Sequence, residues 1–282
     1  MLRAVRRGFC LLVVVGLLGC RRTAAPESPA TPAPDGGLAI TYLANEGVLI
    51  EAAGARVVID ALFRPNDLPY AVLPDAQRGA LEGAAPPFDG IDLVLVSHMH
   101  VDHFHAEAVG LHLARAAGAR LVTSEEVVGL IERGFSDHGS IAARITPIAW
   151  AVGRSETVVA GGARVTFLGL SHGGGRVATV QNFGHLVELG RWKIFHGGDA
   201  VPSEENFAPL GLASQHIDVA LLPWWHLGSD EAFAVVQRHI APRRIVLIHV
   251  APSEEAEAQD AIRQRAPDAV LFRRMLADRL AL

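Results

Sequence analysis

The sequence predicts an α/β domain of two sheets with helices outside them, and three observations carry that expectation. Short apolar segments of strand length recur between residues 38 and 249, several of them followed by segments with helical spacing. Strands outnumber helices early, and βα units recur in each half of the chain. Half of the 282 residues are hydrophobic and a fifth are charged, which suits a compact chain and excludes a largely disordered one.

Residues 38–43, 48–52 and 56–60 read as strands separated by Gly- and Asn-containing turns, a meander. Residues 61–90 carry Pro65, Pro69, Pro74, Pro86 and Pro87 with little periodicity, and are expected to form a long loop of the kind that serves as a lid. Its Phe63, Leu68, Tyr70 and Leu73 are candidates for one wall of a pocket. Residues 91–96 are apolar apart from Asp92, as expected of a buried strand. A helix over 105–117, a strand over 119–122 and a helix over 124–133 follow, the last capped by Ser124. In the second half, strands are expected at 164–170, 182–188, 193–195, 217–222 and 244–249. Helices are expected at 231–239 and 253–265, with Ser253 capping the second.

The N-terminus has a different character. Arg3, Arg6 and Arg7 precede an apolar run over 9–18 that is too short to span a bilayer and fits a secretory signal. The run ends Leu17-Leu18-Gly19-Cys20, which resembles a bacterial lipoprotein lipobox. Residues 1–19 are thus expected to be a lipoprotein signal peptide, and Cys20 the lipid-carrying residue that attaches the chain to a membrane. The Pro-, Ala-, Ser- and Thr-rich residues 20–37 then form a tether, and 38–282 the folded domain. The expected location is the bacterial cell envelope, facing the periplasm or the exterior. Cys10 and Cys20 are the two cysteines, so a chain starting at Cys20 holds no other thiol. Loss of 1–19 removes three Arg and no acid, leaving 22 basic against 30 acidic residues, a formal charge of −8. An acidic chain without a basic stripe speaks against nucleic-acid binding.

Thirteen histidines stand against those two cysteines, so a bound metal must be held by imidazole and carboxylate. Immediately after the strand at 91–96 comes Ser97-His98-Met99-His100-Val101-Asp102-His103. Alternate residues of an extended segment point the same way, so His98 and His100 can converge on one ion while Asp102 and His103 address a second. Further candidates follow later strands: His172 before Gly173-Gly174-Gly175, Asp199 after His196-Gly197-Gly198, and His249. Nitrogen and oxygen donors without thiolate suit zinc, with iron or manganese as alternatives.

His98-x-His100-x-Asp102-His103, then a lone His172, then Gly198-Asp199, then a late His249, resembles the ligand order of the metallo-β-lactamase superfamily. The resemblance spans nearly all of residues 38–282. It includes Ile40-Thr41-Tyr42-Leu43, Val48-Leu49-Ile50-Glu51, Val57-Val58-Ile59-Asp60 and the Leu221-Leu222-Pro223 that precedes His226. The branch it looks like holds ascorbate-6-phosphate lactonase-like and N-acyl-phosphatidylethanolamine phospholipase D-like hydrolases. The resemblance implies a four-layer αββα sandwich. It also implies that His98, His100 and His172 hold one ion, that Asp102, His103 and His249 hold another, and that Asp199 bridges them. Where the family commonly follows its Gly-Asp with Thr or Ser, this chain has Ala200.

Two Zn2+ ions, or Mn2+ or Fe in their place, would share a water and bring its pKa toward neutrality, making a metal-bound hydroxide the nucleophile. The expected substrate is a small-molecule or lipid-like ester, lactone or phosphodiester. Asp102 is expected to orient the hydroxide, and His226 is read as a proton donor or substrate contact. Trp224 and Trp225 either line an apolar pocket or pack in the core. His185 and His196 are expected to back the ligands or fill the core. His105 is placed either beside the site or in solvent. The alternative from another class is an envelope lipoprotein that keeps its metal for binding rather than catalysis.

Overall fold

The computed structural model describes residues 36–282. The signal segment, Cys20 and nearly all of the tether expected over 20–37 lie outside the described residues.

The first half builds one sheet. β1 (Leu38–Ala44), β2 (Gly47–Ala52) and β3 (Ala55–Ile59) form the antiparallel meander read from the sequence. After α1 (Asp75–Glu82), β4 (Leu93–Leu95) pairs parallel to β3. α2 (Ala106–Arg115), β5 (Arg120–Ser124), α3 (Glu125–Gly134), α4 (His138–Ile141) and β6 (Ile145–Ile148) follow, with β4, β5 and β6 parallel. The second half repeats the scheme. β7 (Ser155–Ala160), β8 (Ala163–Leu170), β9 (Asn182–Leu189) and β10 (Trp192–His196) are antiparallel neighbours. After α5 (Glu204–Phe207), the strands β11 (Val219–Pro223), β12 (Ile245–Ile248) and β13 (Val270–Leu271) run parallel to β10. α6 (Asp230–Val235) and α7 (Glu255–Arg265) connect them. β14 (Arg279–Ala281) returns to pair with β1. The two seven-stranded sheets are ordered β14-β1-β2-β3-β4-β5-β6 and β13-β12-β11-β10-β9-β8-β7.

The period-2 pattern of each strand decides the layers. Leu38, Ile40 and Tyr42, Val48 and Ile50, Val57 and Ile59, and Leu93 and Leu95 point into one core. There they meet Val165, Phe167, Val187, Val219, Leu221 and Val246 of the other sheet. The alternate residues Leu49, Val58, Val94 and Leu121 pack outward against Val109, Leu113, Val127 and Ile131 of α2 and α3. On the far side Leu186, Ala220, Leu222 and Leu247 pack under Val235 and Ala261 of α6 and α7. The result is the expected four-layer αββα sandwich. Its C-terminal strand ends lie along one edge: β1, β3 and β4 of the first sheet, and β8, β10, β11 and β12 of the second.

Three of the differences from the sequence reading concern helices. The stretch 61–90 is not all loop, because Pro74 (φ −55°) opens α1, which buries Leu81. Ser253 does not cap α7. The helix starts at Glu255, and the Glu254 carboxylate turns back to accept the Ala251 N–H at 2.9 Å. The helix expected over 231–239 is α helical only to Val235 and continues as a π turn over Val236–Ile240.

Phe167 is wholly buried between the sheets, with Phe183 at 5.4 Å and His185 at 5.0 Å between ring centroids. Phe167→Ala is expected to cost about 3–5 kcal/mol in equilibrium denaturation. Val159→Ala, at a side chain 72% exposed, is expected to change stability by less than about 0.5 kcal/mol.

Candidate metal centre

Four chain segments from both sheets deliver donors to the shared edge. His98, His100, Asp102 and His103 follow β4, His172 follows β8, Asp199 follows β10 and His249 follows β12. The donors form two groups. In the first, His100 Nδ1 lies 3.0 Å from His98 Nε2 and 3.2 Å from His172 Nε2. Asp199 Oδ2 lies 3.7 Å from His98 Nε2 and 3.2 Å from His172 Nε2. In the second, Asp102 Oδ2 lies 3.5 Å from both His103 Nε2 and His249 Nε2. Asp199 Oδ1 stands 3.5 and 3.3 Å from the same two nitrogens. Asp199 thus turns one carboxylate oxygen to each group. Each group can hold a metal ion.

The chemistry of the second group fits a cation. His103 Nε2, His249 Nε2 and Asp199 Oδ1 are buried and have no hydrogen-bond partner among the described residues. Acceptor atoms gathered at this spacing repel unless a positive charge lies among them. Asp102 and Asp199 are held well below the usual carboxylate range: burial pushes them up, but the neighbouring histidines overcome it.

Asp60, at the end of β3, orients rings in both groups. Its Oδ1 accepts the Ser97 N–H at 2.7 Å, and its Oδ2 accepts the Ser97 hydroxyl and, at 3.1 Å, the His103 ring at Nδ1. Ser97 Oγ in turn meets His98 Nδ1 at 2.9 Å. With both Nδ1 atoms taken as donors, the network leaves Nε2 of His98 and of His103 as bare acceptors toward the ion. Sequence reading placed Asp60 only in a strand. The available signal was its position, a carboxylate directly after an apolar strand, as at Asp199.

Gly198 and Asn182 shape the turn at Asp199. Gly198 has φ 52°, and a Cβ there would lie 2.6 Å from Asn182 Oδ1 and 2.8 Å from the Phe183 carbonyl. Asn182 Oδ1 accepts the Asp199 N–H at 3.2 Å. His196 braces the same turn: its Nδ1 accepts the Gly198 N–H and its Nε2 donates to the Glu46 carbonyl, each at 3.2 Å. Ala200, the departure from the resemblance's Thr or Ser, is buried among apolar side chains, and its carbonyl accepts the Trp225 indole N–H at 3.2 Å.

The other candidates fall outside the two groups. His226 is wholly buried, its ring near Phe207 and Trp225, and neither nitrogen has a hydrogen-bond partner among the described residues. His185 is buried edge-on to Phe167, also unpartnered. Burial pushes His226 down to about 4 and His185 down to about 3. His105 caps α2, its Nδ1 accepting the Ala108 N–H. The 61–90 segment brings Tyr70 edge-on to His249 at 4.3 Å, and Trp225 meets the same ring at 5.0 Å. A cleft of about 960 Å³ lies at the opposite edge of the second sheet, lined in part by Trp192, Asp218, Arg243, Arg244, Arg265 and Asp268. It contains none of these donors.

Comparisons with known proteins agree with this geometry. Residues 55–265 match the family model of the beta-lactamase superfamily domain. The chain is 30% identical over 179 residues to a UPF0173 metal-dependent hydrolase of Pyrococcus horikoshii, covering 61% of this chain and 72% of that protein. It is 28% identical over 217 residues to a UPF0173 metal-dependent hydrolase of Thermococcus kodakarensis, covering 74% and 83%. In fold it is similar to Igni18, a metallo hydrolase from Ignicoccus hospitalis, with a TM-score of 0.56 and 19% identity over 87% of this chain and 98% of that one.

His185 and His226 are neutral when folded but titrate near 6.5 when unfolded, so the unfolded chain takes up protons first on acidification. Stability drawn from their neutrality is complete above pH 6.5 and is lost progressively as pH falls toward 4. In metal-free protein, His226→Leu is expected to lower the slope of unfolding free energy against pH, between pH 6 and 4.5, by about 1.4 kcal/mol per unit. Denaturant titrations across that range measure it, and an unchanged slope would mean that this imidazole is already protonated in the fold.

Proposed function

Because this chain belongs to the beta-lactamase superfamily and, within it, to the UPF0173 metal-dependent hydrolases, we propose that it is an exported, membrane-tethered hydrolase with a dinuclear zinc centre that cleaves an ester, lactone or phosphodiester. One observation carries the dinuclear reading: the two oxygens of Asp199 face two separate groups of imidazole and carboxylate donors. His98, His100 and His172 hold one ion in this reading, Asp102, His103 and His249 hold the other, and Asp199 serves both. The all-nitrogen-and-oxygen donor set favours zinc over softer-ligand metals.

Bound divalent ions supply Lewis acidity and a water acidified toward neutral pH. The chain's own residues do the positioning. Asp60 holds the His98 and His103 rings with Nε2 inward. Asp102, with Oδ2 between His103 and His249, orients the attacking water. Tyr70 and Trp225 flank His249 and offer aromatic walls to an apolar or acyl portion of the substrate. Burial, with smaller contributions from nearby carboxylates, pushes the Tyr70 phenol up to about 12. His226, read from the sequence as a proton donor or substrate contact, is wholly buried beside Phe207 and Trp225, so in this reading it packs behind these walls.

Export is supported by Arg3, Arg6 and Arg7, the apolar run at 9–18, Cys20 after Gly19, and the absence of any later cysteine. Among the described residues no helix is long and apolar enough to cross a membrane. In this reading the attachment is a lipid at Cys20. In a bacterial host, Cys20→Ser is expected to move the protein from the membrane fraction to the soluble one.

Purified protein starting at Cys20 is expected to contain two zinc ions by elemental analysis. It is also expected to turn over a member of a panel of phosphodiesters, lactones and phospholipids. His100→Ala or Asp199→Ala should lower kcat/KM by at least about 10³-fold, because each removes several kcal/mol of charge stabilisation. Full activity after chelation and removal of metal would refute the reading.

A further inference from the structure

The turn between β1 and β2 places Asn45 against the second donor group. Asn45 has φ 51°, a left-handed conformation that Asn tolerates better than most residues. Its side chain is buried and its Nδ2 donates to the Asp102 main-chain carbonyl at 3.2 Å and to Asp102 Oδ2 at 3.1 Å. Reversing the amide would aim an acceptor at two acceptors, so this orientation is dictated by the partners. Asp102 Oδ2 is the oxygen that faces His103 and His249. The Asn45 carbonyl also accepts the His249 N–H at 3.1 Å, and His249 itself is left-handed, with φ 54°.

The ligands differ in how they are held. His98 and His103 each have Nδ1 engaged, by Ser97 and by Asp60. Among the described residues His249 Nδ1 has no hydrogen-bond partner. That ring is oriented by its backbone bond to Asn45 and by the edges of Tyr70 and Trp225. No hydrogen bond from Asn45 goes to His98, His100 or His172.

We infer that Asn45 is a positioning residue for one half of the centre: through Asp102 and His249 it sets the spacing of the second donor group, and only that group's ion depends on it. The inference rests on the two-group reading above. A carboxylate ligand that loses its hydrogen-bonded support typically loses about 10–100-fold in metal affinity.

The test is zinc binding by full-length protein against a competing chelator, with no activity assay. Asn45→Gly keeps the left-handed turn and the carbonyl to His249 and removes only the carboxamide. It is expected to bind the first zinc with wild-type affinity and the second about 10–100-fold more weakly. If the glycine variant does not fold, Asn45→Ser supplies the same comparison, with a loss of the second ion's affinity in the same direction. A second-ion affinity within about twofold of wild type, or equal weakening of both ions, overturns the inference while leaving the dinuclear reading standing. Wild-type protein that takes up a single zinc overturns both.

Discussion

The Asp60 carboxylate is buried at the end of β3 with no lysine or arginine partner among the described residues, and three donors make that burial tolerable: the Ser97 N–H, the Ser97 hydroxyl and the His103 ring. An unpaired carboxylate in this position would carry a desolvation cost of several kcal/mol. Because the compensating donors are themselves attached to His98 and His103, the same bonds that stabilise Asp60 aim one ring into each donor group. Its backbone also joins the sheet, the Asp60 N–H donating to the Leu95 carbonyl at 3.1 Å. The register of β3 against β4 is therefore coupled to the orientation of the histidines that follow β4. A change in sheet packing at this point would be felt directly as a change in metal geometry.

The polar cluster continues inward from there. Glu46 is fully buried, with neither carboxylate oxygen hydrogen-bonded among the described residues, and its Oε2 lies 3.6 Å from His103 Nδ1 and 3.7 Å from His196 Nε2. Burial, reinforced by the nearby Asp199, pushes this group far above the ordinary carboxylate range. A neutral acid there spares the interior a further negative charge beside Asp60, Asp102 and Asp199.

The parts of the molecule that were legible in the sequence share a local signature. The apolar 91–96 run followed by His98, His100, Asp102 and His103 announced both a buried strand and a ligand cluster, since period 2 and donor chemistry coincide within a dozen residues. The later donors were legible because each follows an apolar strand. What the sequence concealed depends on contacts between distant residues. Asn45 and Asp102 are 57 positions apart, and the Glu46 carbonyl meets His196 across 150. Two residues in a hairpin turn look like turn residues, whatever they touch. α1 was hidden by the prolines around it, although Pro74 in fact starts that helix. His226, read from the sequence as a proton donor or substrate contact, also follows a strand, but the 3-10 turn over Trp224–Leu227 packs its ring against Phe207.

β14 gives the architecture its closing feature. It pairs with β1, and Leu38 and Leu282 exchange main-chain hydrogen bonds of 2.9 Å in both directions. Both chain ends of the domain therefore sit where β1 begins, whereas the donors gather where β1 stops, about 23 Å away at roughly 3.3 Å per residue. A label or fusion partner joined at residue 36 or at Leu282 would therefore sit about one strand length from the donor groups.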